Sequence, residues 1–137
     1  MVSKTHLIAR YAETDQMGII HHSVYAVWYE AARTAFVKDL GLSYSEMEQN
    51  GLFMPLSELS CQFLRPGLYE DEVLVETRIK NVSASRIQFA YTLFRNGEDT
   101  PFNTGSTTHG WVDENRRPFN LKKRFPELFT LFSQAIE

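Results

Sequence analysis

The chain has 137 residues, of which 43% are hydrophobic and 23% charged, with a formal net charge of −3. A chain of this size can bury a core without a disulfide or a metal ion, so we expect a single domain over residues 1–137. The weakly acidic balance excludes the basic footprint of a nucleic-acid-binding protein.

The first half of the chain predicts a strand, a polar loop and a long helix. The strand is expected over residues 5–12, and the loop from Glu13 to Gly18. Residues 23–40 contain neither Gly nor Pro and end at Gly41, which predicts a helix with Ser23 as its N-cap. Apolar residues cover more than one face of this helix, so we expect the rest of the fold to enclose it.

The second half of the chain predicts a short helix and four strands. Ser43 and Glu46 are spaced as a capping pair for a helix that ends at Gln49. Strands are predicted over residues 53–65, 73–80, 87–94 and 103–113, and a short amphipathic helix over 125–136. The two middle strands alternate in hydrophobicity with a period of two, and turn residues separate them.

This order of elements indicates an α+β fold, in which an antiparallel sheet is wrapped around one long central helix. The edges of such a sheet need protection, which dimerisation often supplies. The single cysteine, Cys61, cannot form an intrachain disulfide and favours a reducing compartment. No signal peptide or membrane-spanning run is apparent, so we expect a cytoplasmic protein without a membrane partner.

The densest polar cluster runs from Glu13 to His22, directly before the long helix. A helix N-terminus presents unpaired N–H groups and the positive end of the helix dipole, which can hold a developing oxyanion. Asp15, in the preceding loop, could stand on the other side of a bound carbonyl. Thioester hydrolysis needs these two groups and little acid help, because a thiol with a pKa of about 8.5 is a good leaving group.

Residues 11–25 resemble the active-site segment of the 4-hydroxybenzoyl-CoA thioesterase family of hotdog-fold proteins. That segment has an Asp, a Gly three residues later, a His or aromatic residue before the helix and a Tyr in its first turn. Asp15, Gly18, His22 and Tyr25 match these positions. Further matching segments follow in the same order, at residues 28–33, 64–72, 105–113 and 117–118.

The resemblance implies a hotdog fold, a homodimer or homotetramer with active sites between protomers, and hydrolysis of acyl-CoA without a cofactor. It implies that Asp15 is the nucleophile or general base and that His22 binds the acyl carbonyl or the water. The backbone amide of Tyr25, or of a neighbour, would polarise the carbonyl, and the Tyr25 ring would line the acyl pocket. The chain departs from the commonest pattern at His21 and Val24, where an aromatic or aliphatic residue and an Asn are more usual.

Five further residues are candidate substrate-binding groups, namely Gly18, Ile19, Glu30, Arg65 and Arg86. The first two continue the matched loop. Glu30 lies on the helix that we expect to be buried, where it is paired with Arg33, has a capping role across the interface, or is a helper acid near the site. Arg65 and Arg86 carry guanidinium groups, which suit the phosphates of CoA.

Other chemistries find little support in the sequence. Adjacent histidines such as His21 and His22 seldom converge on one ion, and no other cluster has ligand spacing, so no metal is expected. The chain has no Gly-x-Ser-x-Gly elbow, which argues against a serine hydrolase. Three alternatives stay open, namely a non-catalytic acyl-CoA-binding hotdog module, a hotdog hydratase or dehydratase, and an acyl-carrier-protein thioesterase.

Overall fold

One long helix lies against a five-stranded antiparallel sheet in the computed structural model, which describes residues 1–137. The strands are β1 (Ser3–Ile8), β2 (Leu56–Phe63), β3 (Glu72–Val82), β4 (Arg86–Arg95) and β5 (Asn103–Gly110). A single 3-10 turn spans Tyr11–Glu13, and the α-helices are α1 (Val24–Asp39), α2 (Tyr44–Gln49), α3 (Leu121–Arg124) and α4 (Pro126–Gln134). The strand order β1-β3-β4-β5-β2 leaves β1 and β2 at the two edges.

The alternation of the two middle strands gives the sheet its buried face, as the sequence predicts. The inward residues of β3 and β4 are Val73, Val75, Thr77, Ile79, Ile87, Phe89, Tyr91 and Leu93. They join the aromatic residues of α1 in one core, where Phe36 meets Phe89 edge to face at 5.7 Å. The Ser43 hydroxyl accepts the Glu46 amide at 3.1 Å, which confirms the predicted cap of α2. None of the helices combines the length and apolar character needed to cross a bilayer.

Two local predictions near the first strand are wrong. The strand ends at Ile8 and not at residue 12, because the Arg10 amide donates to the Glu13 carboxylate at 2.8 Å and the chain turns away from β3. Ser23 does not cap α1 with its side chain, since its hydroxyl lies 2.8 Å from Nδ1 of His21 instead. In both places a neighbouring side chain competes with the expected secondary-structure bond.

The expectation that α1 is enclosed on most sides is also wrong within the chain. The sheet covers one side of the helix, and the opposite side is exposed at Val27, Glu30, Ala31, Thr34 and Lys38. Glu30 is therefore not buried, and it forms no ion pair with Arg33, whose guanidinium donates to the Tyr91 hydroxyl at 3.1 Å. The apolar residues of the exposed side, with Val27 59% exposed, remain available to another surface.

A directional chain of hydrogen bonds lies between α1 and the sheet. It starts at Arg33, which donates to the Tyr91 hydroxyl. The Tyr91 hydroxyl in turn lies 2.6 Å from the Thr107 hydroxyl. Nε2 of His109 lies 2.9 Å from that Thr107 hydroxyl, and Nδ1 lies 3.1 Å from the carbonyl oxygen of Met54. Because a carbonyl oxygen only accepts, we assign the imidazole proton to Nδ1, and Nε2 accepts from Thr107. Neutral His109 fits this arrangement.

We expect His109 to make the protein less stable as the pH falls below about 6.5. Burial, helped by the charge of Arg33, lowers the pKa of His109 from 6.5 to about 4. The unfolded chain takes up the proton first, so the stabilisation is complete above pH 6.5 and is lost as the pH falls towards 4, by about 2 to 3 kcal/mol. Urea unfolding is measured at pH 7.5 and 4.5 for wild type and for His109→Gln. The difference between the two proteins separates the contribution of His109 to the free energy of unfolding from that of the carboxylates. An equal loss in both proteins would contradict it.

Candidate active site

The polar loop before α1 is a closed hairpin held by its own backbone. The Asp15 amide donates to the Ile19 carbonyl at 2.9 Å, and the Gly18 amide donates to the Asp15 carbonyl at 3.0 Å. Gly18 has a φ of 76°, a left-handed conformation that favours glycine. The Met17 amide donates to Oδ1 of Asp15 at 2.8 Å. The second carboxylate oxygen has no hydrogen bond within the chain, so it is available to a bound molecule.

This hairpin is fastened to the segment that follows β2. The Ile20 amide donates to the Gly67 carbonyl at 2.8 Å, and Ile19 forms an isolated β-bridge with Leu68. Ile20 and Gly67 are buried, whereas Asp15 is only half-buried. The loop is thus anchored on its inner side and presents the Asp15 carboxylate at the surface of a cleft.

An open pocket of about 410 Å³ lies between the hairpin, the start of α1 and the residues after β2. Its lining consists of Asp15, Met17, Ile19, Ile20, His22, Tyr25, Phe63, Leu64, Arg65 and Pro66. Most of these side chains are apolar, and the carboxylate, the imidazole and the guanidinium are the exceptions. A pocket of this composition suits an apolar group attached to a polar reacting centre.

The pocket brings together five of the residues that the sequence analysis singled out, namely Asp15, Ile19, His22, Tyr25 and Arg65. Gly18 shapes the hairpin without lining the pocket. Glu30 lies on the exposed side of α1, outside the pocket. Arg86 begins β4 opposite Gly110, at the other end of the sheet from Phe63 and the pocket. Neither Glu30 nor Arg86 therefore meets Asp15 within one chain.

Tyr25 forms the apolar floor of the pocket. Its ring is 2% exposed and meets the rings of Trp28 and Phe63 edge to face at 5.4 and 5.3 Å. Burial raises the pKa of the Tyr25 hydroxyl above its ordinary value of 10. The hydroxyl therefore stays protonated at neutral pH, and Tyr25 contributes an uncharged surface to the floor of the pocket.

The first turn of α1 offers two backbone amides without an acceptor. The amides of Ser23 and Val24 donate to Nδ1 and to the carbonyl of His21, at 3.2 and 3.0 Å. The amides of Tyr25 and Ala26 make no hydrogen bond within the chain. Unpaired amides at the positive end of a helix dipole stabilise a negative charge, such as the oxyanion of a carbonyl under attack.

His22 and Arg65 stand at the rim. The exposed His22 ring lies on the ring of His21 with centroids 4.1 Å apart, and it forms no hydrogen bond within the chain. The Arg65 guanidinium donates to the Thr100 carbonyl at 2.7 Å and lies 3.0 Å from the Glu98 carboxylate. Arg65 would therefore have to share its charge between Glu98 and any phosphate.

Sequence reasoning missed part of the apolar wall. Phe63 and Leu64 line the pocket at the end of β2, although neither was a candidate. The signal lay in the alternation of β2, since Cys61 and Phe63 point to the same side of the strand. Nowhere in the chain do three His, Cys, Asp or Glu side chains gather as a potential metal site.

Comparison with known sequences yields a family match and curated relatives. The model of the thioesterase-like superfamily matches residues 9–131. YneP of Bacillus subtilis, provisionally named an acyl-CoA thioesterase, is 36% identical over 98% of this chain and 97% of its own length. A chloroplastic acyl-acyl carrier protein thioesterase of Arabidopsis thaliana is 29% identical over 88% of this chain and 63% of its own length.

Comparison with solved structures also finds similarity to a thioesterase. The DHNA-CoA thioesterase of Staphylococcus aureus superposes with a TM-score of 0.91 and 34% sequence identity. The superposition covers 97% of this chain and 89% of that protein. The shared fold includes the hairpin, the helix and the sheet that together form the pocket.

Proposed function

Because the chain belongs to the thioesterase-like superfamily, we propose that it hydrolyses acyl-CoA thioesters to a free acid and CoA. The observation that carries this proposal is one pocket that Asp15, with its free carboxylate oxygen, lines together with Tyr25 of the first turn of α1, where the amides of Tyr25 and Ala26 are unpaired. The names of the Bacillus and Staphylococcus relatives support CoA as the carrier. The superfamily supports the hotdog fold and the thioester bond.

In the proposed reaction, the acyl group packs on Tyr25 and Phe63. The carbonyl oxygen of the thioester accepts hydrogen bonds from the free amides of Tyr25 and Ala26. Asp15 either attacks the carbonyl carbon or takes a proton from the water that attacks it. By the first route the carbon–sulfur bond breaks and an acyl anhydride with Asp15 forms, which water then hydrolyses. By the second route water adds directly. Both routes release the acid and the CoA thiol, and His22 binds the acyl carbonyl or orients the water.

An acyl group carried by acyl carrier protein is a second candidate substrate, favoured by the similarity to the Arabidopsis enzyme. The bond broken would be the same, and only the carrier would change. We place the reaction in the cytoplasm, because the half-buried free thiol of Cys61 suits a reducing compartment.

Release of free thiol tests the proposed function. Wild-type protein is incubated with short, long, aromatic and hydroxylated acyl-CoAs, and with the same acyl groups on acyl carrier protein. We expect repeated turnover on at least one acyl-CoA, and the best substrate identifies the acyl class. Hydration of an enoyl thioester without thiol release would indicate a hydratase. Binding of acyl-CoA without any product would indicate a non-catalytic module.

We further propose that the protein is a homodimer or homotetramer assembled through β2. This edge strand leaves its outer backbone groups unpaired, and it exposes Leu56, Leu59 and Phe63 by 40 to 56%. The side of α1 that the sheet leaves uncovered exposes Val27. A second copy that covers these residues would bury apolar surface and pair the open edge. It would also bring the partner's side chains to the Phe63 wall of the pocket.

Leu59→Lys should convert the assembly to monomers. Wild type should have a mass of two or four times the 15.9 kDa chain by light scattering after size exclusion. The lysine places a charge that would be costly to bury in the interface. Ile8→Lys, at an exposed position of the opposite edge strand, is the matched control and should keep the wild-type mass. A monomeric wild type, or dissociation by Ile8→Lys alone, would contradict assembly through β2.

A further inference from the structure

Glu13 is a charged side chain that the fold buries. Its Oε2 accepts the indole N–H of Trp28 at 3.0 Å, and its Oε1 accepts the Arg10 amide at 2.8 Å. The guanidinium Nε of Arg10 lies 3.5 Å from the same Oε1. A buried carboxylate is costly unless it is hydrogen-bonded and paired, and Glu13 meets both conditions. Neither Glu13 nor Trp28 lines the pocket, so the proposed reaction leaves both without a role.

The Glu13 carboxylate joins the two sides of the pocket. Glu13 lies two residues before Asp15, and its carbonyl oxygen accepts the His21 amide at 2.9 Å, which closes the base of the hairpin. Trp28 lies on α1 one turn after Tyr25 and packs edge to face against that ring. The bond between Glu13 and Trp28 therefore connects the base of the hairpin to the helix whose first turn borders the pocket.

We propose that Glu13 is a positioning residue, which fixes the Asp15 carboxylate relative to the first turn of α1 by holding Trp28. The inference deepens the proposed function and rests on it for its effect on rate. The Asp15 carboxylate is itself bonded only to the Met17 amide, within its own loop. A misplacement of about 1 Å between reacting groups costs on the order of 10²-fold in rate. The distance between hairpin and helix therefore matters for the reaction.

Glu13→Gln is the informative variant, because it keeps the shape and removes one acceptor. A glutamine has one acceptor oxygen and one NH₂ donor, so it cannot accept from both the Trp28 indole and the Arg10 amide. One of the two hydrogen bonds is lost. We expect kcat on the best acyl-CoA to fall by about 10- to 100-fold, with KM within about threefold. Glu48→Gln, at an exposed glutamate of α2, is the matched control and should keep the wild-type kcat.

Trp28→Phe shows whether Glu13 acts through the indole. Because both substitutions act on the hydrogen bonds of one side chain, the double variant should lose little more kcat than Glu13→Gln alone. All rates are divided by the folded fraction from circular dichroism, so that instability does not count as lost catalysis. Losses that multiply in the double variant, or a wild-type kcat in Glu13→Gln, would overturn the positioning role.

A measurement without turnover separates this inference from the proposed function. In ¹⁵N-labelled protein, Glu13→Gln should shift the indole peak of Trp28 and the amide peaks of Asp15 and Gly18. The indole of Trp111, which donates to the Ser83 carbonyl, should stay in place. Unmoved Asp15 and Gly18 peaks overturn the inference even in an active enzyme. Shifted peaks in a protein that releases no thiol uphold the positioning of the hairpin and overturn the proposed hydrolysis.

Discussion

Asp15→Asn should lower kcat on the best acyl-CoA by at least about 10²-fold, which corresponds to about 3 kcal/mol of barrier. The asparagine oxygen can still accept the Met17 amide at the Oδ1 position, so the hairpin should keep its shape. The neutral side chain can neither attack the carbonyl nor take a proton from water. KM and the free energy of unfolding should therefore change little, and kcat should carry the loss. Steady-state thiol release and urea unfolding measure the two effects.

The matched control for this variant is Asp99→Asn, which removes a carboxylate from an exposed turn residue outside the pocket. It should keep the wild-type kcat. If Asp15→Asn is as active as Asp99→Asn, the Asp15 carboxylate is only a turn former. The rim residue His22 would then become the first candidate for the base.

Gly105→Ala should lower the free energy of unfolding by about 3 kcal/mol, the upper part of the usual cost of overpacking. A Cβ at this position of β5 would overlap the ring and hydroxyl of Tyr29. Tyr29 cannot move aside, because it is fully buried, stacks on Tyr91 at 4.4 Å and bonds to Asn103 through its hydroxyl. For a chain of this size the melting temperature should fall by about 10 °C.

Gly110→Ala on the same strand is the matched control. Its added Cβ would have the Ser85 carbonyl oxygen as nearest neighbour at 4.0 Å, so the unfolding free energy should stay within about 0.5 kcal/mol of wild type. Against a Tyr29→Leu background, Gly105→Ala should cost much less, because the leucine vacates the space. Equal melting temperatures for Gly105→Ala and Gly110→Ala would show that the contact with Tyr29 is not tight.

Features encoded by short-range pattern were predictable from the sequence. The alternation in β3 and β4 fixed which residues face the core, because successive side chains of a strand point to opposite sides. The polar turn from Glu13 to Gly18 was also predictable, since Asp and Gly both favour turns. The residues of the hairpin and of the first turn of α1 lie close in the chain, so the pocket brings them together without a long-range contact.

Features that depend on strand order and register were not predictable. Leu56 and Leu59 read as ordinary strand residues, and only the position of β2 at the sheet edge leaves them exposed. Arg86 and Arg65 seemed equivalent, until the pairing of β4 with β5 placed Arg86 at the end away from the pocket. The exposure of Glu30 depends on which side of α1 the sheet covers, which the apolar pattern of that helix did not reveal.

The position of an uncleaved thioester in the Asp15→Asn variant tests the proposed site most directly. A crystal structure of this variant with its best acyl-CoA should show the carbonyl oxygen about 3 Å from the amide of Tyr25 or Ala26. The carbonyl carbon should lie about 3 to 3.5 Å from the side chain at position 15, or one water further away. A thioester bound elsewhere, with its carbonyl remote from both the hairpin and the first turn of α1, would contradict the proposed site.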